Sequence, residues 1–126
     1  MQAEYMAECP YCGQMVAVSA EEGISIDEQR EAAGRKCTCT GANRARMLRD
    51  SIDRIDMVCG GASIDNGFDY PLPDDEIALL KRLAEDVIDG RISRAVLRMV
   101  SGDEVRLMDA IFYVKVKRTH KKQLEM

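Results

Sequence analysis

Cys9-Pro10-Tyr11-Cys12-Gly13 and Cys37-Thr38-Cys39 decide how this chain folds. Thiolates gathered in two tight pairs hold one tetrahedral Zn²⁺, and such a site contributes ~10–16 kcal/mol of apparent binding energy that becomes folding energy. Pro10 restricts the first turn, and Gly13 frees the backbone beyond the second ligand so that its amide can approach a sulfur. The second pair is C-x-C, not the commoner C-x-x-C, and 24 residues separate Cys12 from Cys37. That spacing departs somewhat from the usual ribbon pattern. The expectation is one structural zinc per chain on Cys9, Cys12, Cys37 and Cys39, with a redox pair or a disulfide set as the alternatives.

Outward from the cysteines, Tyr5–Glu8 and Gln14–Val18 flank the first pair as a short hairpin. Ser25 stands three residues before Glu28, a capping box that starts a helix through Ala33, with Gly34 at its C-terminal cap. After Cys39, Thr40 caps a longer helix to Val58 or Cys59, which Gly60-Gly61 ends. Ala45, Leu48, Ile52, Ile55, Cys59 and Ala62 recur at alternating steps of three and four, the seam of a helix packed lengthwise. The expected partner of that seam is the chain's own second half, in a monomer; a homodimer through Ala45, Leu48, Ile52 and Ile55 is the alternative. Cys59 reads as a buried structural thiol.

Residues 60–73 (GGASIDNGFDYPLP) read as a linker. Asp74 or Asp75 then caps a helix with Ile77, Leu80, Ala84, Val87 and Ile88 on one face, ending at Gly90. Beyond it the period becomes two: Ile92–Val100, a Ser101-Gly102-Asp103 turn, Val105–Met108 and Ile111–Lys117. Phe112, Val114 and Val116 are expected inside, Lys115 and Lys117 outside. The expected fold class is α+β: an N-terminal zinc ribbon with a long helix (1–59), a linker (60–73), a C-terminal helix packed on a three-stranded antiparallel meander (74–118), and a frayed basic tail (119–126).

At 46% hydrophobic, with no Trp, two Phe and eight Met among 126 residues, the chain can bury a modest core of aliphatic side chains. No run approaches the ~20 apolar residues of a membrane span. Five cysteines behind no apolar leader suit a reduced, cytoplasmic setting. Four thiolates close the metal's coordination, and the one histidine, His120, lies in the expected tail. Gly60-Gly61 follows a helix, opposite to what a phosphate cradle needs. The expectation is a protein that is not an enzyme.

The net charge of −4 hides blocks of opposite sign. Residues 1–34 carry seven acids and one base, 35–49 five bases and no acid, 50–89 eleven acids and three bases, and 90–126 nine bases and four acids. Separate acidic and basic faces suit charged partners. Nucleic acid is one: Arg35, Lys36, Arg44, Arg46 and Arg49 surround the second cysteine pair, and Arg94, Arg98, Arg106, Lys115, Lys117 and Arg118 mark the meander. Against it, Arg46 and Asp50, Arg49 and Asp53, and Asp50 and Arg54 are i, i+4 pairs that neutralise much of the helix charge. Single-strand binders interleave aromatics for stacking, and only Tyr113 suits that role on the Lys115/Lys117 face. The acidic stretch offers the opposite partner, a basic channel in a nucleic-acid enzyme.

The run CPYCGQ, then CTCTGANRARMLRDSIDRI, a two-proline linker and a helix–meander resembles small zinc-ribbon proteins of phages and prophages of gut Firmicutes. The resemblance is one of layout over most of the chain and carries over the ligands Cys9, Cys12, Cys37 and Cys39. Some small metal-containing phage proteins are anti-CRISPR inhibitors that keep target DNA from loading on a Cas effector. What the resemblance implies is a protein of the bacterial host cytoplasm that binds a nuclease such as type II-A Cas9 with its guide RNA. Charge complementarity to a basic surface of that partner makes Asp50, Asp53, Asp56, Asp74, Asp75 and Glu76 the expected contact residues. A nucleic-acid-binding or transcription-modulating ribbon is the alternative.

Overall fold

A computed structural model describes residues 1–120. Among the described residues the fold is α+β, with three α-helices and two antiparallel sheets. Two compact units divide inside the longest helix, the first spanning Met1–Arg46 and the second beginning at Met47. No helix among the described residues is long and apolar enough to cross a membrane.

In the first unit, β1 (Gln2–Glu8) and β2 (Met15–Glu21) pair antiparallel with Tyr5 opposite Val18 and Glu8 opposite Met15. The hairpin is longer than the sequence suggests because alternation continues through Ala3 and Ala20. Ser25 caps α1 (Ile26–Lys36), its Oγ accepting from the Glu28 amide at 3.1 Å. Gly34 does not end this helix; Cys37 does, its amide donating to Ala33 O at 2.9 Å. Gly34 is instead buried inside the last turn, where an added Cβ would lie 3.1 Å from the Tyr11 ring and 3.2 Å from Pro10. Glycine there serves close packing and leaves the helix running. The unit's core is small: Ala7, Val18 and Ala33 with Tyr5, Val16 and Ala32 beside them, and a second cluster of Cys9, Cys37 and Ala42.

Helix α2 (Thr40–Cys59) begins one residue earlier than a Thr40 cap implies, because Cys39 precedes the first turn and accepts from it. In the second unit Ile55 and Cys59 join Leu72, Ile77, Leu80, Ala84, Val87, Met99, Val105, Leu107 and Val114 in one core. Ala45, Leu48 and Ile52 are half-buried and Ala62 is exposed. Gly60 closes the helix by backbone proximity, since a Cβ on it would meet Asp56 O at 2.8 Å.

The 60–73 segment is folded against the second unit and is not a free linker. Leu72 is buried and its amide donates to Cys59 O at 2.7 Å; Asn66 Nδ2 donates to Met57 O at 2.9 Å. Helix α3 (Asp74–Ile88) has Pro73 at its cap, which places Asp74 and Asp75 inside the first turn. Its buried face is Ile77, Leu80, Ala84 and Val87, with Ile88 packed alongside.

Strands β3 (Arg94–Arg98), β4 (Glu104–Asp109) and β5 (Val114–Thr119) form an antiparallel meander in sequence order. Ala95, Leu97, Val105, Leu107, Val114 and Val116 face the core. Phe112 does not point inward. It is 83% exposed in the β4–β5 turn, where Asp109 Oδ1 accepts from the Ile111 amide at 2.9 Å and Ile111 takes a φ of 74°. The turn consumes Ala110–Tyr113, so alternation starts only at Val114 and runs on to Thr119. Of the expected 119–126 tail, Thr119 instead closes β5 and His120 bonds Asp103, and the remainder lies outside the described residues.

Candidate metal centre

The first knuckle is held by its backbone. Cys9 N donates to Gln14 O at 2.8 Å, and Gly13 N donates to Cys9 O at 2.9 Å. The Gly13 amide thus goes to a carbonyl, not to a sulfur as its position suggests. Its φ of 77° explains why glycine occupies this turn. Tyr11 lies against two glycines: Gly34 on α1, and Gly41 on α2, where a Cβ would sit 2.9 Å from the Tyr11 Cβ. These contacts set the first pair against the segment carrying the second.

That segment is the break between α1 and α2. Lys36 Nζ ties the end of α1 to Ala17 O on β2 at 2.6 Å. Arg46 reaches back from α2 and donates to Gly34 O at 3.3 Å and Arg35 O at 2.6 Å, satisfying carbonyls that the last turn of α1 leaves open. The Ala42 amide donates to Cys39 Sγ at 3.3 Å.

These constraints bring all four sulfurs within 4.8 Å of one another. Cys9 Sγ lies 3.9 Å from Cys39 Sγ, and Cys12 Sγ lies 3.6 Å from Cys37 Sγ. A metal bonded tetrahedrally to four sulfurs at about 2.3 Å separates them by about 3.8 Å, so the cluster has the size of a tetrahedral donor set. No two of the cysteines are joined as a disulfide. Cys9 and Cys37 are buried, Cys39 is half-buried and Cys12 is exposed.

The thiols are electrostatically split. Burial pushes the Cys9 thiol up, but the Tyr11 and Cys12 backbone N–H groups and the Cys12 and Cys37 thiols outweigh it and leave Cys9 at about 7. At Cys12 the Gln14 N–H lowers the value, while burial and the Cys37, Cys39 and Cys9 thiols raise it to about 12. One sulfur gives up its proton readily and the next resists, as expected of anions crowded together without a cation. A metal ion supplies the missing positive charge. The four cysteines can therefore hold a metal ion.

Residues singled out for other roles are dispersed by comparison. Asp50 accepts from Arg54 Nε at 2.7 Å, and Asp56 pairs with Lys81 at 3.2 Å. Glu76 accepts weakly from the Val100 amide at 3.4 Å while its other carboxylate oxygen is buried. Asp53, Asp74 and Asp75 remain exposed. Near the cysteines, Arg35 pairs with Glu31 at 2.6 Å, Lys36 is committed to Ala17 and Arg44 is half-buried. Arg94, Arg98, Lys115 and Lys117 are exposed, and all four lie on the outer face of the meander. Cys59 is fully buried, and burial pushes its thiol up to about 11.

Arg118 belongs to no basic surface. Its side chain is 1% exposed, and its NH2 atom meets the fully buried Asp103 carboxylate at 2.6 Å. It also donates to Val58 O at 3.1 Å and Tyr70 O at 3.0 Å, with its guanidinium 4.3 Å from the Phe68 ring centre. Tyr70 Oη donates to Asp103 at 3.2 Å, and His120 also bonds that carboxylate. The partners pull the Asp103 carboxyl below its ordinary value despite burial. The signal for this cluster was parity: Arg118 is two residues beyond Val116 and four beyond Val114, on the inward side. Comparison with family models, curated proteins and solved structures finds no match to the chain.

Proposed function

We propose that this chain is a zinc-stapled, non-catalytic binding protein. The observation that supports it is the four-sulfur cluster, whose edges fit a tetrahedral site with every ligand position taken by protein. Zinc suits four thiolates without any geometric demand of its own, and a closed site leaves no position for water or substrate. The metal's role is then folding. The first unit has only two small clusters of Ala, Val and Cys to bury, and domains this small usually need a metal or cross-links. A contribution of ~10–16 kcal/mol exceeds what such clusters supply.

The resemblance in layout extends the proposal to a partner, a Cas9-type nuclease carrying its guide RNA, with loading of target DNA as the step blocked. Exposed Asp53, Asp74 and Asp75 support an acidic contact, since complementary charge speeds association with a basic surface. The test is a pull-down of zinc-loaded protein against Cas9, with and without guide RNA, repeated on a variant carrying Asp53→Lys, Asp74→Lys and Asp75→Lys. The proposal expects capture by the parent and salt-sensitive loss in the variant. No capture in either form of Cas9 removes the partner and leaves the metal reading standing; equal capture of parent and variant removes the acidic contact.

A further inference from the structure

We propose that the outer face of the meander, with the β4–β5 turn at one end, is a platform for single-stranded nucleic acid. The register fixes which side chains share this face. Arg94 lies opposite Met108, which lies opposite Lys115; Val96 lies opposite Arg106, opposite Lys117; Arg98 lies opposite Glu104, opposite Thr119. Successive rows are two residues apart, about 6.7 Å, on strands about 4.8 Å apart. Arg94, Arg98, Lys115 and Lys117 are all exposed, and none forms an ion pair among the described residues. Arg106 is offset by Glu104 on the same face.

Charge alone would suit any polyanion; the turn narrows the choice. Phe112 is 83% exposed, next to Ile111 at 77%, in the loop that leads into Lys115. Ile111 sits at a positive φ that a β-branched residue rarely adopts, and the Asp109 carboxylate holds it there. A ring presented to water three residues before Lys115, at the end of a cationic face, suits an unstacked base whose phosphates meet Arg and Lys. Val96 and Met108 between the cations add apolar surface for sugars and bases. Stacked duplex bases have no face to offer Phe112, so the geometry favours single strands. Asp50 and Asp53 line a groove with Tyr113 and Lys115, which bounds the platform on the β5 side. The platform uses neither the cysteines nor the exposed acids of the second unit.

The test is fluorescence anisotropy of the full, metal-loaded chain with a labelled oligothymidylate of about 16 nucleotides, and with a duplex of the same length. Four cations on phosphates predict a slope of log K against log salt of about −3. Phe112→Ala should weaken binding roughly 5- to 150-fold for one lost stacking contact. Its exposure means the fold should survive, which circular dichroism checks. Arg94→Glu with Arg98→Glu should abolish binding, while Arg44→Glu should leave it intact. Equal affinity for duplex, indifference to Phe112→Ala, or loss with Arg44→Glu alone would each overturn the platform. A chain that binds metal one to one but no oligonucleotide would overturn it and leave the zinc staple untouched.

Discussion

Replacing Asp103 with alanine should destabilise the second unit far more than a typical polar-to-alanine change. Asp103 is fully buried against a guanidinium that is itself 1% exposed. The substitution removes the two short Arg118 contacts at 2.6 Å, the Tyr70 hydroxyl bond and the His120 contact. Arg118 cannot leave easily, because the Val58 and Tyr70 carbonyls and the Phe68 ring hold it in place. Breaking a buried pair and stranding one charge costs about 3–5 kcal/mol. The retained carbonyl bonds place the expectation near the lower end, about 3 kcal/mol. At an m-value of about 1.5 kcal/mol/M, the urea midpoint falls by about 2 M.

Urea unfolding of metal-saturated protein, followed by far-UV circular dichroism, measures this directly. The double change Asp103→Leu with Arg118→Met should recover most of the loss, because it removes the stranded charge. Acid should act in the same direction. The folded Asp103 carboxyl lies below its unfolded value, so the unfolded state binds more protons in between. Stability from this group is therefore present above the ordinary carboxylate range near pH 4 and drains away as pH falls through the lower folded value. A midpoint shift below about 0.5 kcal/mol equivalent for Asp103→Ala, well under the few-kcal/mol penalty of a stranded charge, would refute the reasoning.

Gly41→Ala should destabilise the first unit by about 1–3 kcal/mol and weaken metal affinity, because the new methyl meets Tyr11 at 2.9 Å. The gain of about 1 kcal/mol in helix propensity does not offset that; thermal unfolding with and without metal reads the difference. Cys59, fully buried with its thiol near 11, should resist iodoacetamide at neutral pH until the second unit unfolds, and Cys59→Ala should leave metal stoichiometry unchanged. Ile111→Gly should raise the melting temperature, since a non-glycine residue at φ 74° stores roughly 1–3 kcal/mol of strain.

Periodicity made the second unit legible. The 3–4 spacing of Ile77, Leu80, Ala84 and Val87 names a buried face that the structure keeps, and the alternation over Ile92–Val100 separates two faces, of which the one with Ala95, Leu97 and Met99 meets the core. What went unread had tertiary causes. Gly34 resembles a helix stop, but only the seat of Pro10 and Tyr11 explains it. Residues 60–73 have a linker's composition, yet buried Leu72 and the Arg118 hydrogen bond to the Tyr70 carbonyl hold them on the core. Phe112 looks like a core residue, and a four-residue turn shifts it out of the strand. At the cysteines the sequence supplied both pairs; the lever from Arg46 to the end of α1 and the two glycines about Tyr11 appear only in three dimensions.

Native mass spectrometry with elemental analysis, on protein purified without added metal, tests the metal staple itself. One zinc per chain is expected, lost in Cys9→Ser and Cys39→Ser together with the exchange protection of the β1–β2 amides. Metal-free protein that keeps that protection, or a disulfide-linked cluster in its place, would contradict it.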